Sequence, residues 1–178
     1  IDAGPNIEES LDAVGFGVGD LAGVFHTHVH DDHFVGLTSL MRADRRLSYY
    51  AVPMVRRSAT EKLRALCGVD ADDFARLFDV VDLRPDEWND VGGLGVRPIY
   101  SPHPLETTIL RFRAAGADGY RTYAHYADLS SFAVIDSMVT DDASAAGVTA
   151  AEAERAKAAY LEPADVKKVD VGGGMIHG

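Results

Sequence analysis

Apolar and polar positions alternate with two different periods along the chain, and each change of period marks a predicted element. A short apolar start ends at Gly4-Pro5, after which Asn6 and Glu9 offer a helix start that runs to about residue 14. Gly15, Gly17 and Gly19 then break any helix. The string Gly17-Val18-Gly19-Asp20-Leu21-Ala22 satisfies a permissive dinucleotide-loop pattern, but it follows a helix and leads into a strand. That motif needs the opposite context, so the segment reads as a connecting loop. Residues 21–27 form a buried strand, 34–42 a helix and 47–52 a second strand. Pro53 is a favoured first helical residue, and Val55, Ala59, Leu63 and Leu66 recur at helical spacing before Gly68 stops the helix. A short helix over 72–77 is followed by strands over 80–83, 96–100, 107–112 and 120–126. Thr149 and Glu152 form a capping box that opens an Ala-rich helix to about residue 160, with Pro163 closing it and a last strand over 166–171. Strands alternating with helices around one core predict an α/β chain with a single domain over 1–178.

Composition narrows the class. The 178 residues are 47% hydrophobic and 25% charged, which excludes a collagen, a coiled coil and an acidic disordered tail. Seventeen Lys and Arg against 28 Asp and Glu leave a net charge of −11, so the surface as a whole should repel nucleic acid and anionic membranes. Cys67 stands alone, which rules out an internal disulfide or a cysteine-based zinc site and fits a cytoplasmic setting. No apolar run approaches the roughly 20 residues of a membrane helix. The chain starts at Ile1, in what reads as a strand end, so the expectation is a piece of a longer protein.

Candidate chemistry concentrates in one segment. Of seven histidines, four fall within eight residues: His26-Thr27-His28-Val29-His30-Asp31-Asp32-His33. On an extended strand end His28 and His30 point the same way and can converge on one cation, while Asp32 and His33 lie where the chain turns and can reach a second. Imidazole with carboxylate suits zinc, iron or manganese, whereas calcium and magnesium prefer oxygen alone.

Continued through Phe34-Val35-Gly36-Leu37, this segment resembles the signature of the metallo-β-lactamase superfamily. The further motifs of that superfamily have counterparts in chain order: Asp2, His103 in Ser101-Pro102-His103-Pro104, Asp128 in Tyr126-Ala127-Asp128, and His177. The resemblance implies a four-layer αβ/βα sandwich of two mixed sheets flanked by helices, with a dinuclear metal centre. One metal would be held by His28, His30, His103 and a bridging Asp128, the other by Asp32, His33, Asp128 and His177, with Asp2 supporting the loop from behind. Zinc is the first expectation for the two ions, with iron or manganese as alternatives. His26 is left as a packed or hydrogen-bonding support, and His125 as a structural residue or a proton donor facing substrate.

Two divalent cations bring the pKa of a bridging water towards neutrality, and the resemblance gives Asp32 the catalytic role of orienting the resulting hydroxide. With two ionised aspartates and one hydroxide, the site carries about +1 inside an acidic protein, which favours a small anionic substrate. Aspartate rather than cysteine at 128 disfavours the best-known antibiotic-hydrolysing class, and His30 in place of glutamate disfavours the flavodiiron branch. The His103-Pro104-Leu105-Glu106-Thr107-Thr108 context resembles phosphodiesterase-like members, so a phosphodiester is the leading substrate class. The alternatives are a glyoxalase II-like thioester hydrolase, an iron persulfide dioxygenase, or a non-catalytic metal-binding sensor module. The segment 166–178 further resembles bacterial members that carry a cyclic-nucleotide-binding domain, which makes such an attached domain an expected partner. The oligomeric state is left open by the sequence.

Overall fold

A computed structural model describes residues 1–69, 71–142 and 144–172. The chain falls into two compact units, Ile1–Leu83 and Arg84–Gly178.

The first unit is built on a three-stranded parallel sheet of order β1-β2-β3, with β1 at Gly23–Phe25, β2 at Leu47–Ala51 and β3 at Phe78–Asp82. Val24 lies opposite Tyr49, and Leu47 opposite Phe78. Among the described residues, five α-helices accompany it: α1 (Ile7–Asp12), α2 (Asp31–Phe34), α3 (Leu37–Leu40), α4 (Pro53–Cys67) and α5 (Ala71–Leu77). Helix α4 presents Val55, Ala59 and Leu63 to the core, a stripe at i, i+4 and i+8. Leu66, expected on that stripe, is exposed. Gly68 ends the helix in the left-handed conformation, φ 69°, with its N–H donating to the Arg64 carbonyl at 3.0 Å. An aromatic triad fills the centre, with Tyr49 edge-on to Phe74 at 5.0 Å and Phe74 5.1 Å from Phe78.

Three local expectations change here. Asn6 makes no side-chain cap, and α1 stops at Asp12. The strand expected over 21–27 shortens to three residues: the His26 N–H still donates to the Tyr50 carbonyl at 2.9 Å, but the Thr27 N–H turns to Asp2 Oδ1. The helix expected over 34–42 is two short helices, broken at Val35 and Gly36. The cause is the N-terminal segment, which crosses directly over Gly36: the Gly36 N–H donates to the Ala3 carbonyl at 2.9 Å, and a Cβ at position 36 would lie 2.0 Å from the Gly4 oxygen.

The second unit carries a five-stranded sheet of order β4-β5-β6-β7-β8. Its strands are β4 (Asn89–Val91), β5 (Leu94–Ser101), β6 (Thr107–Gly116), β7 (Gly119–His125) and β8 (Val166–Lys168). The first three pairings are antiparallel, and β8 joins β7 in parallel. The β6–β7 hairpin turns at Ala117-Asp118, so β5 ends, β6 begins and β7 ends at one edge while the hairpin tip lies at the other. Among the described residues, helices α6 (Phe132–Ser137) and α7 (Ala150–Leu161) complete the unit. The capping box is present: the Glu152 N–H donates to Thr149 Oγ1, and the Thr149 N–H to Glu152 Oε2 at 2.8 Å. Ile99, Ile109, Ala124, Tyr126 and Ala159 form the core between sheet and α7.

Candidate metal centre

In the first unit the chain leaves β1 at Phe25, runs extended through His26 to His30 and turns into α2 at Asp31. His26, Thr27 and His28 are buried, His30 and His33 are half-buried, and the Asp32 side chain is exposed. Lys62 of α4 anchors the loop, donating to the Val29 carbonyl and to Asp31 Oδ1, both at 2.6 Å.

Asp2 organises the segment. Its Oδ1 accepts the Thr27 N–H at 2.7 Å, and its Oδ2 accepts the Thr27 hydroxyl at 2.8 Å and His33 Nδ1–H at 2.9 Å. Asp2 itself sits at φ 57°, a left-handed conformation held by its N–H bond to the Phe25 carbonyl at 2.7 Å. Burial pushes the Asp2 carboxyl up, but the hydrogen bonds it accepts from His33 and from the Thr27 N–H, with the nearby imidazoles, hold it below the usual carboxylate range.

These bonds determine which ring nitrogens stay available. Because the Thr27 hydroxyl gives its single proton to Asp2, it can only accept from His28 Nδ1, 3.1 Å away. His28 therefore carries its proton on Nδ1 and turns the Nε2 lone pair outward, and His33 does the same through its bond to Asp2. His28 Nε2 lies 3.1 Å from His30 Nδ1, and His33 Nε2 lies 3.4 Å from Asp32 Oδ2.

His26 takes the supporting part expected of it. Its Nδ1 meets the Tyr49 hydroxyl at 2.7 Å, its ring stacks at 5.9 Å on Phe34, and burial pushes its pKa down to about 4. The imidazole is thus neutral and packs as part of the core.

In the second unit His103 follows the end of β5 and Asp128 follows the end of β7. Both are buried, and His103 Nε2 lies 3.6 Å from Asp128 Oδ2. Ala127, at φ 46°, turns the chain so that Asp128 departs from the line of the strand. His125 is buried with its Nδ1 3.0 Å from the Tyr123 hydroxyl. His177 lies outside the described residues.

Donors bound to one zinc ion at tetrahedral angles lie roughly 3.3 Å apart. The separations of 3.1, 3.4 and 3.6 Å match that spacing. The donors are imidazole and carboxylate, two of the rings have their remaining nitrogen fixed by a hydrogen bond, and the residues fit a divalent cation. The sequence did not mark Tyr49, which supports His26 from 23 residues away, because no local pattern links them.

Two sheets flanked by helices and this donor chemistry define a metallo-β-lactamase-fold protein, and solved structures agree. MEM-A1, a subclass B3 metallo-β-lactamase from a soil metagenome library, is 17% identical with a TM-score of 0.61 over 93% of this chain and 66% of that one. YhfI from Bacillus subtilis is 19% identical with a TM-score of 0.55 over 73% and 49%. The short form of human tRNase Z is 17% identical with a TM-score of 0.50 over 71% and 56%. This chain thus spans about half to two-thirds of the length of the structures it resembles. Within that fold it belongs to the family described as anti-Pycsar protein Apyc1, whose profile matches residues 1–110. No curated protein sequence matches the chain.

Proposed function

We propose that the protein is a metal-dependent hydrolase of a small anionic ester, with a phosphodiester as the first candidate. The observation that carries this is the orientation of His28 and His33, whose Nδ1 atoms are engaged by Thr27 and Asp2 so that each ring turns Nε2 away from those partners. The proposed ligands are His28, His30, Asp32, His33, His103, Asp128 and His177, shared between two divalent cations with zinc foremost. Bound cations of this kind lower the pKa of water and polarise an ester oxygen.

The chain's own residues supply the rest. Asp32 is the exposed carboxylate of the set, on the first turn of α2, where it can orient water and accept its proton. Asp2 and Thr27 hold the imidazoles without contacting substrate. The acidic surface, at −11 overall, favours a small substrate over a nucleic acid polymer.

Protein loaded with zinc or manganese should cleave bis(p-nitrophenyl) phosphate, and His30→Ala should abolish the turnover. Cleavage unaffected by that substitution would sink the proposal. Full metal occupancy without turnover on phosphodiester, thioester and carboxylic ester probes would also overturn it, in favour of a metal-binding sensor.

A further inference from the structure

Strand β6 separates β5 from β7 in the second sheet, so no ladder hydrogen bond sets the segment after β5 against the segment after β7. Those segments carry His103 and Asp128, whose functional atoms lie 3.6 Å apart. A separate set of polar side chains bridges them. The Tyr160 hydroxyl, near the end of α7, lies 2.5 Å from Ser101 Oγ, on the His103 side. The Ser130 hydroxyl donates to the Pro102 carbonyl at 2.7 Å. Ser101 stands two residues before His103, and Ser130 two residues after Asp128. Both serines are buried, so neither bond is exchanged for water. Tyr160 is itself held between Tyr126, edge-on at 6.0 Å, and Phe132, stacked at 6.2 Å.

From this we infer that Tyr160 and Ser130 form a clamp that sets the separation of the His103 and Asp128 ligands, with Tyr160 acting as a positioning residue. The inference rests on the reading of those two residues as metal ligands. The Ser130 hydroxyl ties its own segment directly to Pro102, while Tyr160 holds Ser101 through its hydroxyl and packs its ring on Tyr126 and Phe132, which flank Asp128. Shifting either segment by a few tenths of an ångström spoils coordination geometry before it disturbs the core.

The test is zinc affinity of the whole chain by competition with a chromophoric chelator, with the visible spectrum of the cobalt(II)-loaded protein alongside. Tyr160→Phe removes only the hydroxyl and should weaken zinc binding by about 10- to 100-fold, the usual effect of losing a residue that orients ligands. The cobalt(II) bands should shift or broaden with it. Ser130→Ala should do the same, and the double variant should lose less than the product of the two single losses. Tyr120→Phe is the control: it removes a hydroxyl from an exposed side chain at the hairpin end of β7, away from both segments, so affinity should hold. If His103→Ala weakens zinc binding while Tyr160→Phe and Ser130→Ala stay within twofold of the parent, the clamp is refuted and the ligand reading stands. If His103→Ala binds zinc as tightly as the parent, the ligand reading falls and the clamp with it.

Discussion

Replacing Asp2 by Asn tests the orienting role of that carboxylate with little change in shape. The carboxylate accepts three hydrogen bonds, from the Thr27 N–H, the Thr27 hydroxyl and His33 Nδ1–H. An amide keeps the first, because its oxygen can face the Thr27 N–H. Its NH₂ then faces the Thr27 hydroxyl and His33 Nδ1, both of which currently donate. His33 must move its proton to Nε2, the nitrogen that faces Asp32, and becomes unable to ligate through it. The Thr27 hydroxyl must accept from the amide and send its own proton to His28 Nδ1, which places a proton on His28 Nε2 as well. One substitution therefore reverses donor and acceptor on two rings at once. Loss of such an orienting partner costs about 10- to 100-fold in metal affinity, roughly 1.4 to 2.7 kcal/mol. Asp2→Ala removes the acceptor without imposing the wrong tautomer, so D2A should bind zinc more tightly than D2N. Chelator competition measures both. Parental affinity in D2N, or D2A weaker than D2N, would refute the tautomer argument.

Two further outcomes follow from packing and capping. Gly36→Ala places a Cβ 2.0 Å from the Gly4 oxygen and 3.0 Å from the Ala3 oxygen, so the N-terminal segment must lift; a loss of about 3 kcal/mol is expected in urea denaturation. A parental midpoint would show that the crossing can yield freely. Thr149→Ala should cost about 1 kcal/mol by removing the cap of α7. Hydrogen bonds from Thr149 hold the Glu152 carboxyl below its usual range, so its contribution is present above about pH 4.5 and fades as pH falls through the lowered value. The gap between parent and variant should accordingly narrow between pH 5 and pH 3; a gap that is constant or widens with acid would exclude Glu152 as the source.

Elements with strong local signals were legible before the fold was known. Pro53 and Gly68 bracket α4, and the Thr149/Glu152 box opens α7, because proline geometry and capping act within one turn. The histidine run likewise declared its chemistry, since clustering of ligands is a sequence property. Strand β4 escaped because Asn89-Asp90-Val91 has no alternation and pairs only through a Gly92-Gly93 hairpin. Helix α6 escaped because its six residues are too few to show a period, although Ser131 caps it through the Val134 N–H. The split between α2 and α3 depends on Ala3 and Gly4, more than 30 residues upstream, which local propensity does not register. Tyr160 and Ser130 belong to the same category: 57 residues separate Tyr160 from His103 in the chain, and only the sheet order makes their bridge necessary.

The β6–β7 hairpin has a practical use that follows from its direction. At about 3.4 Å per residue, the seven residues of β7 set Ala117-Asp118 roughly 20 Å along the sheet from the edge where β7 ends and Asp128 emerges. The tip is exposed, and Gly119 completes the turn at φ 117°. It is therefore the natural attachment point for a fluorophore, an affinity handle or a surface tether, which leaves the ligand-bearing edge of the sheet clear.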